Sequence, residues 1–219
     1  MFYNSFLTDF IVWVVNISFV FAVMPQIYLN YKEKTTRGLS DLYLVGYFNG
    51  YAINFLYVFS LNFNLAYKVR AIAAVFAVGY MLWQRFSYDS DFLNLKIKSL
   101  YLADFLLIFL AGLLIFMDPF KGGHIAGWAL VGIWTFYQLP QVIKIYKSKS
   151  VAGFSFVLVS LIGIGNTVEL IMSFILKLPI QTHLIALRGI IIYLIFITQF
   201  ITYGKKQKFV VQKIKQNIK

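Results

Sequence analysis

The sequence predicts an all-α integral membrane protein with seven transmembrane helices. They form two parallel three-helix repeats joined by an inverting linker helix, a 3+1+3 plan. Three observations lead there. First, 60% of the 219 residues are apolar and only 13% are charged, where soluble domains carry about 25% charged residues. Polar side chains are too few to cover a water-facing surface. Second, seven apolar segments occupy 8–31, 41–60, 66–86, 98–118, 123–146, 153–177 and 181–203. A helix crosses the bilayer core with about 20 such residues, and the connections leave no room for a soluble domain. Third, the chain repeats itself at an offset of 115. Trp13 meets Trp128, Phe21 meets Phe136, Pro25 meets Pro140 and Gln26 meets Gln141. Tyr31, Lys32, Lys34, Gly38, Ser40 and Gly50 likewise meet Tyr146, Lys147, Lys149, Gly153, Ser155 and Gly165. Self-similarity at a fixed period dictates architecture.

The first bundle covers 1–92. Its first span has no basic stretch before it, so a cleaved signal peptide is not expected, and it carries Pro25 in its last third. Proline there removes a backbone hydrogen bond and kinks the helix, which predicts a hinge. The freed carbonyl must be satisfied locally, a task expected of Gln26. Ser40 is an N-cap candidate for span 2, and Gly46 and Gly50 allow close helix contact. The linker, 93–121, is the odd helix that returns the chain for a second parallel copy. The second bundle, 122–204, repeats the hinge at Pro140 and Gln141, the cap at Ser155 and the small residues at Gly163 and Gly165. The tail, 205–219, has six Lys and no acid, which predicts anchoring to anionic lipids. With the N-terminus outside, fifteen Lys and Arg fall on the inner side and five on the outer. That bias places the C-terminus in the cytoplasm. The brief N-terminus and the lack of organelle signals in the tail point to a bacterial inner membrane.

Parallel repeats are a transporter plan, with the solute site near the midplane between the halves. A more specific signal is Pro-Gln followed by Lys nine, Gly thirteen and Ser fifteen residues after the proline, in duplicate on seven spans. This resembles the PQ-loop family, whose fold is shared with SWEET sugar transporters and the KDEL receptor. The motif falls on Pro25, Gln26, Lys34, Gly38 and Ser40, and on Pro140, Gln141, Lys149, Gly153 and Ser155. The resemblance implies a carrier that moves a small solute by alternating access, often with protons. A sugar facilitator and a non-transporting receptor are the other functions it implies. Ile162 stands where cystinosin-like members carry a proton-linked Asp, and the SWEET-like prolines of spans 2 and 6 are missing.

An ionisable group within a span is expensive and defaults to a functional role. Glu169 shares a helical face with Asn166 and Ser173, and the repeat register sets it opposite Asn54. A carboxyl at the junction of the copies is the expected proton-coupling group, with Asp104 as a second candidate. Arg70 and Arg188 match in the third span of each copy. The alternative, from depth alone, is a structural ion pair in which Glu169 neutralises Arg188. Arg70 would then be free to favour a carboxylate-bearing solute such as an amino acid. Asn54, Asn166, Arg70 and Arg188 are therefore the expected solute-binding residues. Asp104 is otherwise expected to cap, or to pair with Arg85 or Lys98. No His, Cys or carboxylate cluster has metal-ligand spacing, and no nucleophile, base and orienter stand together, so neither metal, cofactor nor catalysis is expected. The net charge of +12 falls between apolar spans rather than on one face, which argues against nucleic acid.

Overall fold

A computed structural model describes the backbone of residues 5–89 and 95–217. Among these, nine helices form seven rods. Helices α1 (Ser5–Ala22) and α2 (Met24–Glu33) make the first rod, broken at the first motif proline. Helices α3 (Asp41–Ser60) and α4 (Leu65–Tyr88) complete the first repeat, and α5 (Leu95–Met117) is the linker. The second repeat copies the first: α6 (Pro119–Phe136), α7 (Leu139–Ser148), α8 (Phe156–Ile175) and α9 (Ile180–Asn217). The side chains of the Lys-rich tail lie outside the described residues.

The breaks follow from proline chemistry. Pro25 has no N–H to give, and its ring crowds the carbonyl four residues back. Gln26 N bonds the carbonyl of Val23 at 3.1 Å, and Gln141 N bonds that of Gln138 at 3.1 Å. Each is a tight i→i−3 closure in place of the α-helical one. Each short helix then ends on a left-handed lysine, Lys34 at φ 51° and Lys149 at φ 52°, which turns the chain into the motif loop.

The rods form a closed ring. Within a repeat the third helix lies between the first two: α4 between α1 and α3, and α9 between α6 and α8. The repeats join twice, through α1 with α8 and through α3 with α6. The order around the ring is α1, α4, α3, α6, α9, α8 and back to α1. Helix α5 leans on α3 and α6 from outside. Glycines permit the joins, because each receives an aromatic ring: Gly50 takes Trp134 across α3–α6, and Gly165 takes Phe19 across α8–α1. Outward faces carry large exposed apolar side chains, among them Phe76, Phe116, Phe136 and Phe174. Such patches suit hydrocarbon and not water.

Inside the ring the apolar core is split in two. One cluster, at the end that carries the motif loops, is built on Tyr43, Tyr47, Tyr51, Tyr137 and Phe154. Its rings pack tightly, Tyr47 on Tyr137 at 5.5 Å and Tyr43 on Tyr137 at 5.3 Å. The other, at the opposite end, holds Tyr57, Phe63, Tyr67 and Met172. A polar layer lies between them.

At the motif end the two loops cross glycine on glycine. A Cβ on Gly38 would lie 2.4 Å from the carbonyl carbon of Gly153. Gly153 sits at φ 71°, and a Cβ there would lie 2.9 Å from Gly38 Cα. Backbone cannot yield as a flexible side chain can. Gly153→Ala is expected to lose about 1–2 kcal/mol from the left-handed conformation alone, and more from the clash. Gly38→Ala is expected to lower the melting temperature in detergent as well. Alanine at both positions with an unchanged melting curve would show that the loops do not meet.

Candidate functional site

The motif glutamines reach across the molecule instead of mending their own helices, which corrects the expectation from proline chemistry. Gln26 Oε1 accepts from Ser155 N at 2.8 Å, and its Nε2 donates to Gly153 O at 3.0 Å. Gln141 returns the contact: its Oε1 accepts from Ser40 N at 2.8 Å, and its Nε2 donates to Gly38 O at 3.1 Å. Both glutamines are fully buried. A side-chain amide offers a donor and an acceptor on neighbouring atoms. Here it completes one backbone N–H and one backbone C=O of the opposite repeat. Ser40 does not cap α3 through its hydroxyl, whereas Ser155 does cap α8, accepting from Leu158 N at 3.2 Å.

The clasp is symmetric, but its supports are not. In the first repeat Gln26 donates to Asn30 at 2.8 Å, Asn30 to Gln84 at 3.0 Å, and Gln84 to Ile27 O at 3.0 Å. In the second, Ile145 replaces Asn30, and Gln199 donates directly to Val142 O at 2.9 Å. The first loop is further pinned by Asp89, which accepts from Thr36 N at 2.6 Å and Thr36 Oγ1 at 2.8 Å. Burial works to raise the Asp89 carboxyl, but these hydrogen bonds, those of Thr35 and the nearby Arg85 outweigh it and hold it low. Each motif lysine sits in an aromatic pair. Lys34 Nζ lies 3.7 Å from the Tyr31 ring and 5.4 Å from Tyr88. Lys149 Nζ lies 3.6 Å from Tyr146 and 5.3 Å from Tyr203.

A cavity of about 40 Å³ lies in the polar layer, lined by Asn54, Arg70, Asn166, Glu169 and Arg188, with Tyr51, Tyr57, Tyr67 and Trp134 among its aromatic walls. A water's share of liquid volume is about 30 Å³, and sites for small organic ligands run to about 300 Å³ and more. The cavity is thus closed down. The tyrosine stack shuts its motif side. At the opposite side Tyr57 and Thr182 hydroxyls meet at 3.1 Å, under Phe63.

All four expected solute-binding residues and Glu169 line this one space, but their pairing is the reverse of expectation. Arg70 Nη2 donates to Glu169 Oε1 at 3.0 Å, with both side chains buried. Arg70 reaches from α4 past the Phe19 ring of α1, 4.8 Å away, to meet α8. Arg188 instead donates through Nη1 to Trp134 O and Gln138 Oε1, each at 2.6 Å. Asn166 donates back to Ile162 O at 2.7 Å and fills the space over Gly189. Ser173 turns its hydroxyl to Leu170 O and does not join the cavity. Asp104 lies outside it, accepting from Asn49. Arg85 pairs with Asp41 at 2.8 Å and with Asp89 at 3.3 Å, not with Asp104. Asn30, Gln84, Gln138 and the aromatic walls were not anticipated. Following the 115 offset further would have flagged some of them, since it sets Gln84 on Gln199 and Tyr88 on Tyr203.

These features define a class: a helical membrane protein of two three-helix repeats, face to face around a closed polar cavity and latched through a duplicated Pro-Gln motif. The chain belongs to the PQ-loop repeat family, whose model matches residues 7–67 and 122–182. The fold is also that of a eukaryotic SWEET transporter. The likeness has a TM-score of 0.58 at 18% identity and covers 88% of this chain and 99% of that one. No curated protein sequence matches the chain.

Removing one partner of a buried ion pair strands the other charge, at about 3–5 kcal/mol. Arg70→Leu and Glu169→Leu are each expected to lower thermal stability in detergent by that order. The double variant is expected to recover most of it. A double variant as unstable as the sum of the two singles would show that the residues do not pair.

Proposed function

We propose that this protein is an alternating-access carrier of a small polar solute, with a carboxylate-bearing metabolite favoured, coupled to protons through Glu169. The observation that carries the reading is the closed polar cavity between the repeats, with a separate closure at each end. A passage that opens to one side at a time needs this layout. The motif end is latched by four cross-repeat hydrogen bonds of the two glutamines. Each is worth about 0.5–1.5 kcal/mol net, so the latch is strong enough to hold and weak enough to release. The opposite end rests on one hydroxyl pair and packed rings. The breaks before Pro25 and Pro140 sit where α2 and α7 would swing. The excess of Lys and Arg at the motif end supports placing that end in the cytoplasm.

Coupling follows from the ion pair. A proton on Glu169 removes the charge that holds Arg70. With Glu169 neutral, the two cavity guanidiniums together attract a solute carboxylate, and return of the Glu169 charge would weaken its hold. Glu169→Gln fixes the uncharged state. In proteoliposomes it is expected to abolish accumulation driven by a pH gradient and to spare exchange of solute for solute, which moves no net proton. The solute for this assay comes from an uptake screen of labelled carboxylates, amino acids and sugars. Wild-type pH-driven accumulation in Glu169→Gln would remove Glu169 from the coupling. Binding without flux for every solute in the wild type would instead support a receptor.

A further inference from the structure

We infer that the cavity is built for a small organic anion of single negative charge without an ammonium group, and that Arg188 is the residue that holds its carboxylate. This rests on the carrier reading for its location and goes beyond it in excluding zwitterions and neutral sugars. Two observations carry it. The first is charge. Among the described residues lining the cavity, two are cationic, Arg70 and Arg188, and one is anionic, Glu169. Glu169 is engaged by Arg70. Arg188 is met only by neutral oxygens, the carbonyl of Trp134 and the amide of Gln138. The space therefore holds one positive charge in excess. An uncompensated charge in low dielectric is costly, and an ionisable group at membrane depth defaults to a role in function.

The second observation is the inventory of unsatisfied atoms. Three buried atoms on cavity-lining residues have no hydrogen-bond partner: Arg70 Nη1, Arg188 Nε and Trp134 Nε1. All three are donors. A ligand that meets these three donors brings acceptors, and the excess positive charge of the space favours a negative one. A carboxylate does, since its two oxygens offer about four lone-pair sites. A sugar brings donors as well as acceptors and no charge. An amino acid brings a carboxylate, but its ammonium needs an anion, and Glu169 is already engaged. The Trp134 ring lies 5.5 Å from the Arg188 guanidinium. Arg188 thus discriminates between solutes, while Arg70 sets the state of Glu169.

Three compounds on one three-carbon frame separate the classes: lactate, alanine and propane-1,2-diol. Binding is read from the melting temperature of the purified protein in detergent, with sodium chloride as the ionic-strength control. Lactate is expected to raise the melting temperature in a saturable way, and the other two to leave it unchanged. Arg188→Gln is expected to weaken lactate binding at least tenfold. Arg188→Lys keeps the charge but loses Nε and the flat fork; it is expected to weaken binding too and serves if the glutamine variant does not fold. Equal stabilisation by alanine or by the diol would overturn the inference. So would an equal shift with chloride, no shift with lactate, or undiminished binding in the Arg188 variants. Binding is read without flux, so the two proposals fail separately. Lactate binding without transport contradicts the carrier and leaves the anion site standing. Transport of a zwitterion or sugar does the reverse.

Discussion

The crossing of two glycine-containing loops under two glutamines is the constraint on which the motif end depends. Gly38 and Gly153 meet backbone to backbone. At that distance the peptide groups on either side are shut away from water and need partners. Gln26 and Gln141 supply them, each for the opposite repeat. The rest of the motif serves this contact. Proline breaks the helix, so that the next residue leaves the ordinary ladder and its side chain can reach over. Lysine, left-handed at the end of the short helix and seated between two aromatic rings, starts the loop back across. Serine places its amide under the glutamine. A duplicated five-residue pattern is thus one structure made twice, with each copy incomplete alone.

The second constraint is the split core. Two aromatic clusters, one at each end of the ring, leave a polar layer that neither can satisfy. The layer solves most of its own electrostatics through Arg70 and Glu169, which come from different repeats and therefore resist separation. It leaves Arg188 on neutral acceptors. Pseudo-symmetry sets the frame, and departures from it distribute the work. The first motif loop is held by Asp89, Arg85 and the Asn30–Gln84 relay. The second has Gly204, Phe200 and Ile145 at the corresponding places and packs through apolar contact instead. The two halves of the latch are unequally braced.

Much of this was legible in the sequence. The seven spans, the repeat and the break before each motif proline follow from hydropathy, offset and proline chemistry, and the structure has them. The polar lining was legible because polar groups within apolar spans stand out. Their pairing was not. Depth along a helix can be counted in residues, but azimuth depends on which helices are neighbours. In sequence order Glu169 and Arg188 belong to adjacent helices, and pairing them is the natural guess. The ring instead turns Arg188 toward the Trp134 carbonyl of α6 and the Gln138 amide that follows it, and brings Arg70 past Phe19 to α8. The glutamines misled for a related reason. The rule that a freed carbonyl needs a local partner points inward, whereas the nearest unsatisfied backbone lay in the other repeat. Asp104 does not meet Arg85 because Arg85 already has two carboxylates, Asp41 and Asp89, from its own repeat.

A distance measured between the two motif ends tests most directly whether the glutamine clasp is a releasable closure. The chain has no cysteine, so spin labels can be placed at Glu33→Cys and Ser148→Cys, repeat-equivalent exposed positions at the ends of α2 and α7. Double electron–electron resonance in lipid nanodiscs should give a short, closed population together with a longer one. Adding Gln26→Leu and Gln141→Leu should shift the distribution toward the longer distance. A single distance, unchanged when both glutamines are replaced, would show that the motif end is a fixed joint and that the two repeats do not part there.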